Sequence, residues 1–339
     1  MQSTEEGSVR VDLLGGTLDL DPINLILPKV VTLNVATTLK SKVKISERDD
    51  KNVSILSHDY KSETTFSKSD FNFENIYINK YFKELTFVVQ ILDLFGVDEA
   101  ITLELSSGAP AGSGLGGSST MGVVLYKALS EFLGRKFDRQ EAISKIRAIE
   151  GRILNRGLAG YQDYYPALYG GVLALIPHPG EVEIKQLYDD QLKKFLETHI
   201  TLVFSGVGRF SGINNWEVYK AFFDGDQKVR QGLAQIALLS HEAYESILTK
   251  NFNHLLNLIS VEGMEREKLF PNIVAPLIQT MFKEVKKDVL NAGLKVCGAG
   301  GGGCFILVHN PEDKEIIRKT INKYKMTELE FQICPPIES

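Results

Sequence analysis

A run of glycines between a predicted strand and a predicted helix is the feature that most constrains how this chain folds. Five glycines lie between Gly108 and Gly117, after a strand-like stretch over residues 100–105 and before helical apolar spacing that begins at Ser119. Glycines let the backbone turn its N–H groups inward, and the start of a helix adds unpaired N–H groups and a positive dipole end. The pattern therefore predicts a phosphate-binding site. The plain alternative is a tight strand-to-helix turn with a serine cap.

Two further clusters, Gly15-Gly16 and Gly298–Gly303, bring the clustered glycines to 12 of the 29 in the chain. A Walker A loop is excluded because no Gly-Lys-Ser/Thr occurs anywhere in the sequence. Gly112, Gly114 and Gly117 do satisfy the dinucleotide pattern GxGxxG, which keeps a Rossmann oxidoreductase as an alternative. However, the acidic residue expected about 20 residues later at a strand end is missing, since Asp138 introduces a helix.

Amino-acid composition limits the classes of binding partner and the cellular compartment that we expect. The chain has 38 Lys and Arg against 43 Asp and Glu, a formal charge of −5, so neither nucleic acid nor a membrane is an expected partner. Three cysteines without a CxxC pair favour a reducing cytoplasm. The N-terminus lacks the pattern of a signal peptide, and no stretch approaches the roughly 20 apolar residues of a spanning helix. We therefore expect a cytoplasmic protein.

Hydrophobic patterning predicts an α+β protein. Strand-like runs in the first 60 residues indicate an antiparallel sheet, residues 60–78 are polar and predict a loop, and helices dominate the second half. The chain ends in a predicted strand, glycine cluster, strand, helix and strand, the last strand over residues 329–334. Strands and helices mix without a regular βαβ rhythm. We place the boundary between two domains after residue 190, giving domains 1–190 and 191–339.

Three motifs together resemble those of the GHMP kinases. Residues 110–119, Pro-Ala-Gly-Ser-Gly-Leu-Gly-Gly-Ser-Ser, are similar to the family's ATP-binding motif. Residues 10–19, Arg-Val-Asp-Leu-Leu-Gly-Gly-Thr-Leu-Asp, are similar to its first motif, and residues 295–303, Lys-Val-Cys-Gly-Ala-Gly-Gly-Gly-Gly, to its third. The resemblance implies an N-terminal α+β domain with the ATP loop, a C-terminal ferredoxin-like α/β sandwich, and an active site in the cleft between them.

The resemblance also implies ATP and Mg²⁺ as cofactors. Phosphoryl transfer needs charge neutralisation and an in-line acceptor, and hard oxygen ligands suit Mg²⁺. Ser118 and Glu150 would hold the metal, directly or through water, although Glu150 is alternatively a solvated helix glutamate. The residues implied in ATP binding are Pro110, Gly112, Ser113, Gly114, Leu115, Gly116, Gly117, Ser118 and Ser119.

Two residues are implied in catalysis. Asp163 matches the family aspartate that orients or deprotonates the acceptor hydroxyl, and its alternative role is to cap a short helix. Arg10 matches the basic residue at the start of the first motif, placed to lower the pKa of the base and to steady transition-state charge. Its alternative is a charge at a sheet edge.

The sequence determines the identity of the phosphoryl acceptor least well. Galactokinase has Gly-Glu-His-Thr-Asp where this chain has Gly15-Gly16-Thr17-Leu18-Asp19, which resembles the heptose 7-phosphate kinase and fucokinase branch. Gln162-Asp163-x-Tyr165 and the later Tyr169-Gly170-Gly171 also resemble that branch. We expect a sugar kinase, acting as a monomer or homodimer on the anomeric hydroxyl of a sugar or sugar phosphate. Galactokinase-like and mevalonate- or phosphomevalonate-kinase-like members are the alternatives, beside relatives that became regulators. The predicted acceptor-binding residues are Gly16, Thr17, Asp19, Gly300, Gly301 and Arg209.

Overall fold

The computed structural model describes residues 1–59, 61–154, 159–207, 213–269 and 271–338, which divide into two compact units. The first unit comprises Met1–Val9, Leu39–Ala109 and Gly117–Leu168, and the second comprises Arg10–Thr38, Pro110–Gly116 and Tyr169–Ser339. Because these units interleave along the chain, the predicted domain boundary after residue 190 stays a prediction.

Strands and helices are mixed along the described residues without regular alternation, which fits the predicted α+β class. The strands are β1 (Gln2–Leu14), β2 (Thr32–Glu47), β3 (Asn52–Ser57), β4 (Ser62–Ser67), β5 (Ile101–Ser107), β6 (Val172–His178), β7 (Glu181–Gln186), β8 (Ile200–Phe204), β9 (Gly293–Val296), β10 (Cys304–Val308) and β11 (Thr327–Leu329). The α-helices are α1 (Ile23–Ile26), α2 (Thr86–Phe95), α3 (Gly117–Phe132), α4 (Arg139–Leu154), α5 (Tyr165–Tyr169), α6 (Asp190–His199), α7 (Ile213–Phe223), α8 (Gln227–Leu248), α9 (Phe252–Leu269), α10 (Pro276–Asp288) and α11 (Lys314–Lys323).

The sheet of the first unit runs in the order β4-β3-β5-β2. The second half of β2 alternates buried Val43 and Ile45 with more exposed lysines, as a strand with one solvated face does. It pairs antiparallel with β5, whereas β3 pairs parallel with β5 and antiparallel with β4. The expected strands are thus present, but the sheet is not purely antiparallel, and the loop expected over residues 60–78 contains β4.

Helix α3 begins at Gly117, directly after the second glycine cluster, and packs against α2 and α4. Gly134, with φ of +61°, follows its last turn in the left-handed conformation typical of a helix C-terminus. The helix predicted from Ser119 is therefore confirmed, and its first turn carries Ser118 and Ser119.

The second unit contains two groups of paired strands. The first half of β2 pairs with β6, which pairs with β7, all antiparallel. A separate four-stranded antiparallel sheet has the order β11-β8-β10-β9. Its apolar side chains share a core with helices α7, α8, α10 and α11. The last strand is shorter and earlier than predicted: β11 ends at Leu329, and Ile333 forms only an isolated bridge with Thr37.

Helix α9 lies unusually close to β9 in the second unit. A Cβ atom added at Gly263 would stand 2.0 Å from the carbonyl oxygen of Leu294, a separation that no side chain tolerates. Glycine at this point lets the helix backbone approach the strand. The approach places Glu262, the residue before Gly263, beside Lys295 on the strand.

Candidate active site

The second glycine cluster forms a loop of alternating left-handed glycines. Gly112, Gly114 and Gly116 have φ of +69°, +79° and +77°, a region that side chains with a Cβ rarely adopt. The backbone N–H of Ser113 donates to the carbonyl of Pro110 at 3.0 Å, and the buried Leu115 anchors the loop. Helix α3 follows at once, so its unpaired N–H groups and positive dipole end adjoin the loop. This arrangement suits a bound phosphate.

Arg10 holds this loop. Its Nη1 donates to the carbonyl of Gly114 at 2.6 Å, and its backbone N–H donates to the carbonyl of Leu115 at 3.0 Å. Only 1% of the residue is exposed. Arg10 is therefore a buried charge beside the glycine loop and not a surface charge at a sheet edge.

The third glycine cluster packs against the second. The N–H of Cys304 donates to the carbonyl of Ser113 at 2.6 Å, and the N–H of Gly303 donates to the carbonyl of Val207 at 2.9 Å. Gly303 has φ of +72°, and an added Cβ would lie 2.6 Å from the same Ser113 oxygen. Within the second unit, backbone contacts thus join two loops that are almost 200 residues apart in sequence.

Gly300 and Gly301 lie in the same cluster, against the segment that links α9 to α10. The N–H of Gly301 donates to the carbonyl of Ile273 at 2.8 Å. An added Cβ at Gly300 would stand 2.5 Å from that carbonyl oxygen. The loop that is predicted to meet the acceptor is thus anchored near its centre as well as at Gly303.

In the first unit, three hydroxyl-bearing residues surround the carboxylate of Glu150. Ser119 Oγ and Tyr164 OH donate to Glu150 Oε2 at 2.7 Å and 2.6 Å. The exposed Ser118, at the start of α3, also hydrogen-bonds this carboxylate. We call these four residues the hydroxyl cluster. Glu150 is half-buried, so the alternative of a freely solvated helix glutamate is wrong.

Burial raises the pKa of Glu150, the charge of Asp163 adds to the rise, and the hydroxyl donors only partly oppose it. Burial and the adjacent carboxylate likewise raise the pKa of Tyr164, which therefore stays a protonated donor. A carboxylate and a serine hydroxyl are both hard oxygen donors, and they meet where α3 begins. The donor set fits the predicted role of Ser118 and Glu150 at Mg²⁺.

Asp163 lies half-buried in the first unit, just before α5, within electrostatic reach of Glu150. Arg10 belongs to the second unit. Their predicted catalytic roles stay predictions. Arg209 falls outside the described residues, and Asp19 is buried in the turn after β1, 3% exposed.

The first motif is held by an arginine that the sequence analysis missed. Thr17 is β-branched yet has φ of +75°, a conformation that such residues adopt only when their surroundings impose it. Arg266 Nη2 donates to Thr17 Oγ1 at 2.7 Å and to the carbonyl of Gly298 at 2.6 Å, and its Nη1 donates to the carbonyl of Gly16 at 3.0 Å. The guanidinium thus joins the first glycine cluster to the third.

Arg266 is itself part of a buried group of four charges, with Asp12, Glu262 and Lys295, which we call the charge cluster. Lys295 Nζ lies 3.0 Å from Asp12 Oδ2 and 3.1 Å from Glu262 Oε2. Arg266 Nη1 lies 3.8 Å from an oxygen of each acid. None of the four residues is more than 2% exposed. A lysine and an aspartate inside otherwise apolar strands were the signal that could have revealed this group.

The two acids of the charge cluster respond differently. Burial acts to raise the pKa of Asp12, but the charges of Lys295, Arg266 and Arg10 outweigh it and lower that pKa. Burial raises the pKa of Glu262, and the charges of Lys295 and Arg266 only partly oppose the rise. Two acids and two bases balance formally, so the group can be buried without a further ion.

Part of the chain is similar to a known protein family. Residues 79–171 match the GHMP kinases N terminal domain, a stretch that includes the second glycine cluster, Glu150 and Asp163. The D-glycero-alpha-D-manno-heptose 7-phosphate kinase of Campylobacter jejuni is 25% identical over 334 residues, covering 93% of this chain and 91% of that protein. The mevalonate kinase of Saccharolobus solfataricus is 24% identical, covering 85% of each chain.

A third relative is a larger protein. The L-fucokinase/L-fucose-1-P guanylyltransferase of Bacteroides fragilis is 24% identical over 229 residues, which are 66% of this chain but 24% of that protein. This chain thus matches about a quarter of that relative's length.

Solved structures share the fold over almost the whole chain. A D-glycero-D-manno-heptose 1-phosphate kinase from Bacteroides thetaiotaomicron has a TM-score of 0.75, with 20% identity and full coverage of both chains. The mevalonate kinase of Methanococcus jannaschii has a TM-score of 0.76, with 18% identity and 99% coverage of both chains. These likenesses confirm the predicted two-domain α+β fold. The Rossmann alternative is wrong, because β5, the strand that leads into the loop, lies in a mixed sheet, antiparallel to β2 and parallel to β3, whereas a Rossmann unit is built on parallel strands. In the described part of the chain, every helix lacks the length or the apolar composition needed to cross a membrane.

Proposed function

We propose that the chain is a GHMP kinase and that it transfers the γ-phosphoryl group of ATP to a hydroxyl group of a sugar or sugar phosphate. The observation that carries the proposal is the left-handed glycine loop that leads directly into α3, whose first-turn serines face a half-buried carboxylate. A nucleotide kinase needs phosphate-binding N–H groups and hard oxygen ligands for a cation at one place. The glycine loop and the hydroxyl cluster provide both.

The residues divide the chemistry among them. The loop from Pro110 to Ser119 binds the phosphates of ATP, and Arg10 keeps the loop in shape through its bond to Gly114. Ser118 and Glu150 would hold Mg²⁺, which would supply charge neutralisation on the transferred group. Asp163 accepts the proton of the acceptor hydroxyl while that oxygen bonds to phosphorus and the bond to the ADP oxygen breaks.

The acceptor is a sugar with a free anomeric hydroxyl, in our proposal a heptose 7-phosphate or a close analogue. Asp19 supports a sugar, because a buried carboxylate suits several hydroxyl donors at once. Gly16, Thr17, Gly300 and Gly301 would line the acceptor, and Arg209 would meet the phosphate of a sugar phosphate. We place the reaction in the cytoplasm, in a monomer or homodimer, in keeping with a sequence of three cysteines without a CxxC pair.

A binding and turnover panel tests the reaction class and the acceptor together. MgATP should raise the melting temperature and NAD should not, because ligand binding to the folded state alone stabilises it. ATP consumption should then rise with heptose 7-phosphate more than with fucose, galactose or mevalonate. Stabilisation by NAD alone would overturn the kinase, and turnover of mevalonate alone would overturn the sugar acceptor.

Asp163→Asn tests the proposed base. We expect MgATP still to raise the melting temperature, while turnover falls at least about 100-fold, as for removal of a general base. The matched control is Asp189→Asn, since Asp189 is a structural cap that accepts the N–H of Leu192 at 2.8 Å. If Asp163 only caps α5, both variants should lose stability alike and both should keep turnover.

A further inference from the structure

Arg266 makes hydrogen bonds that a role in ion pairing alone does not explain. Its three hydrogen bonds go to Gly16, Thr17 and Gly298, in two of the three glycine clusters. A planar guanidinium can meet several acceptors in a fixed fork, which the single ammonium of lysine cannot. Gly16 and Thr17 precede Arg266 by 250 and 249 residues in the sequence, and Gly298 follows it by 32 residues.

Thr17 shows what these bonds do. A β-branched residue in the left-handed region carries a conformational cost, which its surroundings must offset. Thr17 Oγ1 accepts from Arg266 at 2.7 Å and lies 3.4 Å from Asn215 Oδ1 on α7. The bond from Arg266 therefore fixes the side chain of Thr17 and helps to hold its unusual backbone.

The other members of the charge cluster fix Arg266 in turn. The close approach of α9 to β9 at Gly263 puts Glu262 beside Lys295, and Glu262 also lies 3.8 Å from Arg266. Asp12, from the first motif, contacts both cations. A guanidinium packed among buried charges has little freedom to reorient, so it can act as a rigid template for both loops.

We propose that Arg266 is a positioning residue that sets the shape of the acceptor site by fixing Gly16 and Thr17 to the start of the third glycine loop. The inference rests on the proposed function, because it assumes that these residues meet the acceptor. The far end of the same loop is held separately, since Gly303 bonds to Val207 and Cys304 bonds to Ser113. Loss of Arg266 therefore impairs acceptor binding more than ATP binding.

The primary test is Arg266→Lys, which keeps the charge but cannot serve all three acceptors. We expect kcat/KM for the acceptor to fall about 100-fold, the loss typical of a small misplacement in an active site. Most of the change should lie in the acceptor KM, with the ATP KM within about twofold of its original value. The matched control is Arg230→Lys, since Arg230 donates to a backbone carbonyl, that of Phe222 at 2.8 Å, outside the glycine clusters. Equal effects of the two variants, or a parallel loss for both substrates, would overturn the proposal.

A second pair of changes guards against misfolding. Glu262→Gln with Arg266→Met removes one charge of each sign, so the remaining Asp12 and Lys295 still balance. Thr17→Val removes the hydroxyl alone. If Arg266 acts through Thr17, the double change at Glu262 and Arg266 should raise the acceptor KM much less in the Thr17→Val background than in the original protein. Fully additive effects would contradict the proposal.

Hydrogen exchange separates failure of this inference from failure of the proposed function. In Arg266→Lys, amide exchange should quicken over residues 16–18 and 298–302 and stay unchanged in β8 and β10. This result would support positioning even if every acceptor in the panel failed. Unchanged exchange in the two glycine segments would overturn the inference even in an active kinase.

Discussion

The hydroxyl cluster and the charge cluster both remove carboxylates from water, but they compensate for the loss of solvation in opposite ways. Glu150 receives hydrogen bonds from the neutral donors Ser119 and Tyr164, so burial keeps its pKa raised. Asp12 instead contacts Lys295 and Arg266, whose charges lower its pKa despite complete burial. Neighbouring cations can thus outweigh burial, as they do at Asp12, although at Glu262 the charges of Lys295 and Arg266 oppose it only in part.

The difference fits two uses of a buried acid. The charge cluster is formally balanced, so it can act as a fixed structural unit. The hydroxyl cluster keeps an acid whose donors Ser119 and Tyr164 are neutral hydroxyls, so its ionised form gains stability from a divalent ion. The comparison therefore predicts that changes in the charge cluster act on stability, and changes in the hydroxyl cluster act on the metal and on pH dependence.

The largest effect is expected for Lys295→Met. It leaves two completely buried carboxylates with Arg266 as the shared cation, and breaking a buried ion pair on one side costs about 3–5 kcal/mol. Urea unfolding should show this loss. Lys220→Met is the matched control, because Lys220 pairs with Asp224 on the surface and such pairs contribute little. Similar losses in the two variants would remove the distinction between a buried and a surface pair.

The sequence predicted the local part of this chemistry and missed the long-range part. The glycine run and the helical spacing after Ser119 were enough to place the loop and α3, because both are set by neighbouring residues. The pairing of Lys295 with Asp12 joins residues 283 apart and depends on how closely α9 packs on β9. Periodicity along one segment carries no information about such a contact.

Strand β4 shows the same limit in the fold. Its residues, Ser62–Ser67, are mostly polar and exposed, and it stands at the end of the strand order. An exposed end strand does not need the apolar alternation that marks a half-buried one. The stretch was therefore predicted as a loop, although its pairing with β3 runs in register over all six residues.

A smaller effect on stability and a larger one on the metal are expected for Glu150→Gln. The amide oxygen can still accept from Ser119 and Tyr164, but it brings no negative charge. The Mg²⁺ concentration for half-maximal turnover should rise at least about tenfold, as for loss of a group that supports a metal. Titration of turnover with Mg²⁺ at saturating ATP measures it, and an unchanged midpoint would remove Glu150 from the metal site.

The same variant tests the raised pKa. Since the pKa of Glu150 is higher in the folded protein than in the unfolded chain, the folded state holds the proton more tightly. The free energy of unfolding then falls as pH rises from the unfolded pKa to the folded one. Glu150→Gln should lack this decline. A decline equal to that of the original protein would assign it to other groups.

The smallest effect is expected for Tyr164→Phe, which removes one donor and keeps the ring. The bond from Tyr164 lowers the pKa of Glu150 and so partly opposes the effect of burial. Without it the pKa of Glu150 rises further, and the ionised form that binds Mg²⁺ appears only at higher pH. The acid limb of the activity profile should therefore move to higher pH, with little change at the optimum.

Tyr165→Phe provides the control for this shift, because the Tyr165 hydroxyl makes a long bond, 3.4 Å, to Gln140. Its acid limb should stay where it is. Raising Mg²⁺ should return the Tyr164→Phe limb toward its original position, since the metal competes with the proton for the same carboxylate. If the acid limb of the activity profile of Tyr164→Phe does not move when Mg²⁺ is raised, a different acid controls turnover. The hydroxyl cluster would then have a structural role only, like the charge cluster.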